Sequence, residues 1–139
     1  MLESIEDTLK QYFGHDAFLM GQREIIQQVL CGQDAFVLMP TGAGKSLVYQ
    51  FSSLLMPGLT VVISPLIALM QDQVDRLQAN GIAATFINSS LSSNERLDRE
   101  RAALNGQLKL LYVAPERLVT LSCLSLLDEV RKRVGLSLF

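Results

Sequence analysis

Apolar positions along the chain alternate between two spacings. Leu2, Ile5, Leu9 and Tyr12 recur at helical intervals, and Gly14 can end that helix. A second helix is expected near Gln22 to Leu30, with Ile25, Ile26 and Val29 on its apolar face and Gly32 as the stop. Ala35–Met39 is a continuous apolar run and reads as a strand. Leu47-Val48-Tyr49-Gln50-Phe51 opens a helix running to Met56, closed by Pro57-Gly58. Leu59–Ser64 is β-branched and apolar, so it reads as a buried strand. Ser64 suits the cap of the following helix and Pro65 its first turn. Leu66, Leu69, Met70, Gln73, Val74 and Leu77 then keep helical spacing up to Gly81. Ala83–Ile87 and Lys109–Val113 are further strands. Between them Ser92 and Glu95 form the capping box of a helix reaching about Leu104. Leu118 to Arg133 is expected as one helix, and Gly135 releases a last apolar segment, Leu136–Phe139.

Strands alternating with helices predict an α/β domain with a mostly parallel sheet covered on both faces. The composition agrees: of 139 residues 49% are apolar and only 19% charged, and a chain of this length carries one core. The net charge of −2 excludes a broad basic field, so any nucleic-acid contact must be local. Cys31 and Cys123 have no metal-like spacing and read as two small buried apolar residues in a reducing compartment. The acidic N-terminus carries no targeting signal, and the longest apolar-rich run, Leu59 to Met70, is too short for a bilayer and contains Pro65. A soluble, cytoplasmic protein with no membrane partner is the expectation. Leu136–Phe139 reads as the start of a buried strand at which the chain stops, so truncation is expected over a short edge strand.

The chemistry centres on Pro40-Thr41-Gly42-Ala43-Gly44-Lys45-Ser46, between the apolar run at 35–39 and a helix. Strand, glycine-bearing loop and helix together hold a nucleoside triphosphate. Backbone N–H groups of Thr41, Gly42, Ala43 and Gly44 surround the phosphates, Lys45 reaches the β- and γ-phosphates, and the Ser46 hydroxyl ligates Mg²⁺. The usual first glycine of such a loop is replaced by Met39. Upstream, Gln22 carries an amide able to pair with adenine, and His15 a ring able to stack on it. Ser64-Pro65-Leu66 and Pro115-Glu116-Arg117 both fall where a strand meets a helix, on the usual ligand side of a parallel sheet. Helix starts there can bind a backbone phosphate or simply be caps. Arg96, Arg99 and Arg101 lie among acids, and Arg131-Lys132-Arg133 ends a helix; a solvated face and dipole compensation account for both groups.

Taken in order, these segments resemble the RecQ family of superfamily 2 DNA helicases. Phe13-Gly14 with Phe18 and Gln22 resembles its adenine motif, and Met39 to Ser46 its ATP loop. Ser64 to Met70 with Gln73-Val74 is similar to the next motif, which touches single-stranded DNA. Asn88-Ser89 and Tyr112 to Leu118 are similar to later segments. The resemblance implies a three-layer, RecA-like P-loop NTPase domain over residues 1–139, with 1–33 as the helical adenine-motif segment. It implies an ATP-dependent 3′-to-5′ DNA helicase acting in repair and recombination. Its cofactors would be ATP and Mg²⁺, and its DNA contacts Ser64, Pro65, Leu66, Asn88, Pro115, Glu116 and Arg117. Two positions depart from the pattern: His15 stands where the family has Tyr, and Leu19 where it has Arg. The family's Asp-Glu-Ala-His motif and second motor domain would follow the strand at Leu136–Phe139, so the remainder of the helicase is expected beyond Phe139. Little or no turnover is expected of the 139 residues alone. A P-loop small-molecule kinase and a non-enzymatic nucleotide- or DNA-binding remnant are the alternatives.

Overall fold

The computed structural model describes residues 5–39 and 44–138. Two compact units divide the chain, Met1–Met56 and Pro57–Phe139. Pro40, Thr41, Gly42 and Ala43 of the expected phosphate loop lie outside the described residues, as do Leu2 and Phe139.

The first unit is built from three helices, α1 (Ile5–Phe13), α2 (Gln22–Leu30) and α3 (Lys45–Leu55). Each shows one apolar stripe, and the stripes meet in a cluster of Leu9, Ile26, Val48 and Phe51. Phe51 is wholly buried and meets Phe18 edge-on at 5.1 Å and Phe13 at 6.4 Å. Burying such a ring is worth about 1.5–3 kcal/mol. Phe18 thereby ties the segment between α1 and α2 to α3. An ion pair between Arg23 and Glu6 links α1 to α2 on the surface. Ser52 and Ser53 are buried in α3, and their hydroxyls donate to the carbonyls of Val48 and Gln50 at 2.7 and 2.6 Å. Cys31 is exposed, against expectation, because it lies one residue past α2, beyond its apolar stripe.

The expected strand at Ala35–Met39 is absent. These residues join no ladder, and Phe36 and Leu38 are 90% and 85% exposed.

The second unit is a parallel sheet of β1 (Leu59–Ile63), β2 (Ala84–Ile87), β3 (Leu110–Val113) and β4 (Leu136–Leu138), in the order β2-β3-β1-β4. The connections are α4 (Ile67–Ala79), α5 (Ser93–Leu104), and the pair α6 (Pro115–Leu118) and α7 (Leu121–Arg133). The step from β1 to β2 runs one way across the sheet, and the steps to β3 and β4 run back. Right-handed crossovers therefore put α4 on one face and α5 and α7 on the other. Leu59, Val61, Ile87, Leu111 and Val113 pack against Ala103 of α5 and Cys123, Leu126, Leu127 and Val130 of α7. α4 packs on β2, burying Met70, Val74 and Leu77. β1 meets β4 where Leu59 N–H donates to the Gly135 carbonyl at 2.9 Å. A Cβ on Gly58 would lie 2.5 Å from that carbonyl oxygen, so only glycine fits there.

Three local expectations change. Ser64 and Pro65 do not begin α4. Ser64 N–H still donates to Val113 of the sheet, Leu66 is extended, and the first helical residue is Ile67. The segment from Leu118 to Arg133 is broken, because Thr120 adopts an extended backbone and its hydroxyl accepts from Cys123 N–H at 3.3 Å, capping α7. Arg99 is not merely solvated: it donates to the Phe86 carbonyl at 2.7 Å and lies 4.5 Å from the centre of the Phe86 ring. By contrast, the Ser92–Glu95 capping box forms as expected, and Arg131, Lys132 and Arg133 pair with Asp128 and Glu129 one turn back.

Candidate nucleotide and nucleic-acid sites

The nucleotide candidate lies in the first unit. Gly44 precedes α3 in a left-handed conformation, φ 81° and ψ 35°. A Cβ there would sit 2.2 Å from the Gln22 amide nitrogen, so glycine is required both by its backbone and by its neighbour. Lys45 is the first residue of α3 and is exposed; Ser46 follows and is half-buried. The first turn of α3 contains no acidic residue and its start has no side-chain cap. The positive dipole end of the helix therefore lies next to the Lys45 ammonium. That combination attracts a polyanion such as a phosphate chain.

Gln22 is 1% exposed. Its oxygen accepts from Leu19 N–H at 2.7 Å, and its nitrogen donates to the Gly44 carbonyl at 3.0 Å. The side chain expected to read adenine thus spends its amide inside the protein, holding the residue before Lys45. His15 is exposed, and Leu19 is 56% exposed beside Gly44.

The nucleic-acid candidate lies in the second unit. Because β2, β3 and β1 are adjacent and parallel, the segments after them emerge at one edge. Ser64, Pro65 and Leu66 follow β1, Asn88 follows β2, and Pro115, Glu116 and Arg117 follow β3. The topology therefore brings all seven expected contact residues together. They are not equally available. Pro65, Leu66 and Glu116 are exposed, and Ser64, Pro115 and Arg117 half-buried. The Ser64 hydroxyl accepts from Leu66 N–H at 3.3 Å.

Asn88 is 1% exposed, and its side chain works internally. Its oxygen accepts from the N–H and hydroxyl of Ser90 at 2.8 and 2.5 Å, while its nitrogen lies 3.8 Å from the Met70 sulfur of α4. Asn88 therefore shapes the turn that leaves Ser89 and Ser90 exposed. A hollow of about 220 Å³ next to this turn is lined by Ser89, Ala114, Glu116, Arg117 and Thr120. Ser89 belongs to a segment the resemblance already singled out, while Thr120 enters only through tertiary placement; a hydroxyl three residues after Arg117 was the available signal.

Charge and burial tune groups outside both candidates. Burial holds the Lys109 ammonium below its ordinary range and raises the Cys123 thiol. Hydrogen bonds from Ser92 hold the Glu95 carboxyl below its ordinary range, and those from Arg131 and Lys132 do the same to Asp128. Among the described residues no group of three or more His, Cys, Asp and Glu is placed to hold a metal ion. No described helix is long and apolar enough to cross a membrane.

Comparison with known proteins matches residues 20–137 to the DEAD/DEAH box helicase family. Over 121 residues the chain is 54% identical to the ATP-dependent DNA helicase RecQ of Haemophilus influenzae, covering 87% of this chain and 20% of that protein. It is 43% identical over 131 residues to the Bacillus subtilis protein of the same name, covering 94% of this chain and 22% of that one. The RecQ-like DNA helicase blm-1 of Caenorhabditis elegans is 42% identical over 120 residues, 85% of this chain and 12% of that protein. The chain thus spans about a fifth of the length of the bacterial relatives it matches.

Proposed function

Because the chain belongs to the DEAD/DEAH box helicase family, we propose that it is the nucleotide- and strand-engaging part of an ATP-dependent DNA helicase of RecQ type, moving 3′ to 5′. The observation that carries this reading is the start of α3. An exposed Lys45 follows a left-handed Gly44 at an uncapped helix N-terminus, within a sequence shared with relatives named as DNA helicases. Lys45 contacts the β- and γ-phosphates, and the α3 N–H groups and loop residues Thr41, Gly42 and Ala43 surround the chain of phosphates. Ser46 offers a half-buried hydroxyl beside Lys45, which suits a hard cation that takes its other ligands from water and phosphate oxygens. Mg²⁺ bound there would neutralise phosphate charge. Gln22 acts by fixing the Gly44 carbonyl.

Single-stranded DNA lies along the carboxyl edge of the sheet. Arg117 supplies charge to a backbone phosphate, and Ser64, Ser89 and Ser90 offer hydroxyls. Pro65, Leu66, Pro115 and Glu116 frame the loops, with Asn88 beneath them. With a net charge of −2, such binding is local and of modest salt dependence.

Fluorescence anisotropy with a labelled oligothymidylate tests this arrangement. Arg117→Ala should weaken binding to all sequences alike and lower the salt slope by about one phosphate contact. Binding with no salt dependence, or unchanged by Arg117→Ala, overturns the placement of the strand. Nucleotide affinity unchanged by Lys45→Ala overturns the phosphate site.

A further inference from the structure

We propose that Asn105 is a site of spontaneous covalent modification, at which the side-chain amide becomes a carboxylate through attack by the Gly106 nitrogen, and that the fold shields the same dipeptide at Asn80.

The chain has four asparagines, and two of them, Asn80 and Asn105, precede glycine. Asparagine is thermolabile, and a following glycine has no Cβ to shield its nitrogen. That nitrogen gives its proton to hydroxide and bonds to the side-chain carbonyl carbon. The bond from this carbon to the amide nitrogen breaks, and ammonia leaves with a proton taken from water. A cyclic imide remains. Water then opens it at either carbonyl, giving aspartate or the isomer whose main chain runs through the side-chain carbon.

Both asparagines are exposed and directly follow a helix, Asn80 after α4 and Asn105 after α5. Their backbones are alike, φ −87° and ψ 6° at Asn80 against φ −88° and ψ 4° at Asn105. A ψ near zero turns the glycine nitrogen away from the side chain, so the reaction waits on opening of the helix end. The two ends are held differently. Gly81 N–H donates to the Gln78 carbonyl at 3.0 Å, and Gly106 N–H to the Ala103 carbonyl at 3.3 Å. Beyond Gly81, Ile82 is 3% exposed and its N–H donates to the Leu77 carbonyl at 2.9 Å. The Gln78 side chain donates to the Ala84 carbonyl at 2.8 Å, tying the last turn of α4 to β2. α4 also buries Met70, Val74 and Leu77.

α5 buries Ala103, with Leu104 and Leu108 half-buried and Gln107 exposed. The bond from Arg99 to the Phe86 carbonyl holds the middle of α5 rather than its last turn. A helix end with little buried apolar surface opens more often. Asn105 therefore reacts before Asn80. Asn88 is the internal control, since it is buried and its oxygen already accepts from Ser90. The new carboxylate at Asn105 lies at the negative end of the α5 dipole and loosens that end further.

The test is incubation of the chain in mildly alkaline buffer, followed by tandem mass spectrometry of tryptic peptides. Asn105 should convert about fivefold faster than Asn80, with Asn88 intact. In urea the two Asn-Gly pairs should convert at matching rates, because only local sequence remains. Asn80 keeping pace with Asn105 in the folded chain overturns the inference. So does Asn105 leading by the same factor in urea, which would leave the fold no part in the difference. Asn105 still intact in the folded chain after the urea-treated chain has converted overturns the site itself. Asn105→Gln should abolish the mass gain of its peptide, and a gain that persists places the chemistry elsewhere and overturns the assignment. Asn105→Asp should melt below the parent chain; an unchanged melting temperature overturns the loosening of α5.

Discussion

In the first unit the Gln22 amide reaches 22 positions along the chain to the Gly44 carbonyl; in the second, the Asn88 amide reaches two positions to Ser90. Both side chains are equally buried, and both lie beneath a candidate ligand surface. The long reach makes the phosphate loop depend on the packing of α2 against α3. The short reach lets the turn after β2 form as soon as that strand is placed. A loop tied to a distant element is set by the tertiary fold, whereas a loop tied to itself is set by its own sequence.

The largest expected effect tests the distant tie. Gly44→Ala forces a side chain into a left-handed backbone and against the Gln22 nitrogen, 2.2 Å from the new Cβ. A loss of about 3 kcal/mol in denaturant unfolding is expected, with loss of nucleotide binding. An unchanged stability would show that Gln22 and Gly44 are not coupled. Lys45→Ala should cost about 2 kcal/mol of nucleotide affinity, a charge-assisted contact, and leave the melting temperature unmoved. That variant should bind oligothymidylate as before when no nucleotide is present, which separates the two sites.

The self-tied turn should be weaker in effect. Asn88→Ala leaves Ser90 N–H without its acceptor and should cost about 1.5 kcal/mol of stability, with weaker DNA binding and unaltered nucleotide binding. A nucleotide-binding defect in this variant would erase the contrast between the units. Smallest is Ser92→Ala, which removes the cap of α5 and should cost about 1 kcal/mol. The same box gives a pH signature. Ser92 holds the Glu95 carboxyl below its ordinary range, so its contribution is complete above the unfolded carboxylate range, near about 4.3. It is lost as pH falls through the lower folded value. Glu95→Gln should flatten the acid limb of the stability curve, measured by thermal melts across that range.

Most elements were legible because their signals are local. The capping box at Ser92, the stop at Gly81 and the β-branched run at Leu59 each act within a few residues, and all three appear where expected. Thr120 gave a readable signal that the apolar spacing hid: a hydroxyl three residues before Cys123, able to cap a second helix. The run at 35–39 failed for the opposite reason, since apolarity states that a segment seeks cover and says nothing of which edge supplies it. The site followed the same division. Gly44, Lys45 and Ser46 stand at the start of α3, where order and residue type put them, while the spending of the Gln22 amide inside the protein was not legible. A sequence shows that an amide is present, not whether its donor and acceptor are already spent.

The sequence by itself determined the alternation of strands and helices, the order Gly44-Lys45-Ser46 at the start of α3, and membership of a helicase family. These depend on short-range periodicity and on residue types at fixed spacing. Only the tertiary structure decided that the turns after β1, β2 and β3 share one edge, because strand order is a property of pairing across the sheet. It alone decided that Gln22 holds the Gly44 carbonyl, 22 positions away, because a hydrogen bond to a distant partner is fixed by distance in space.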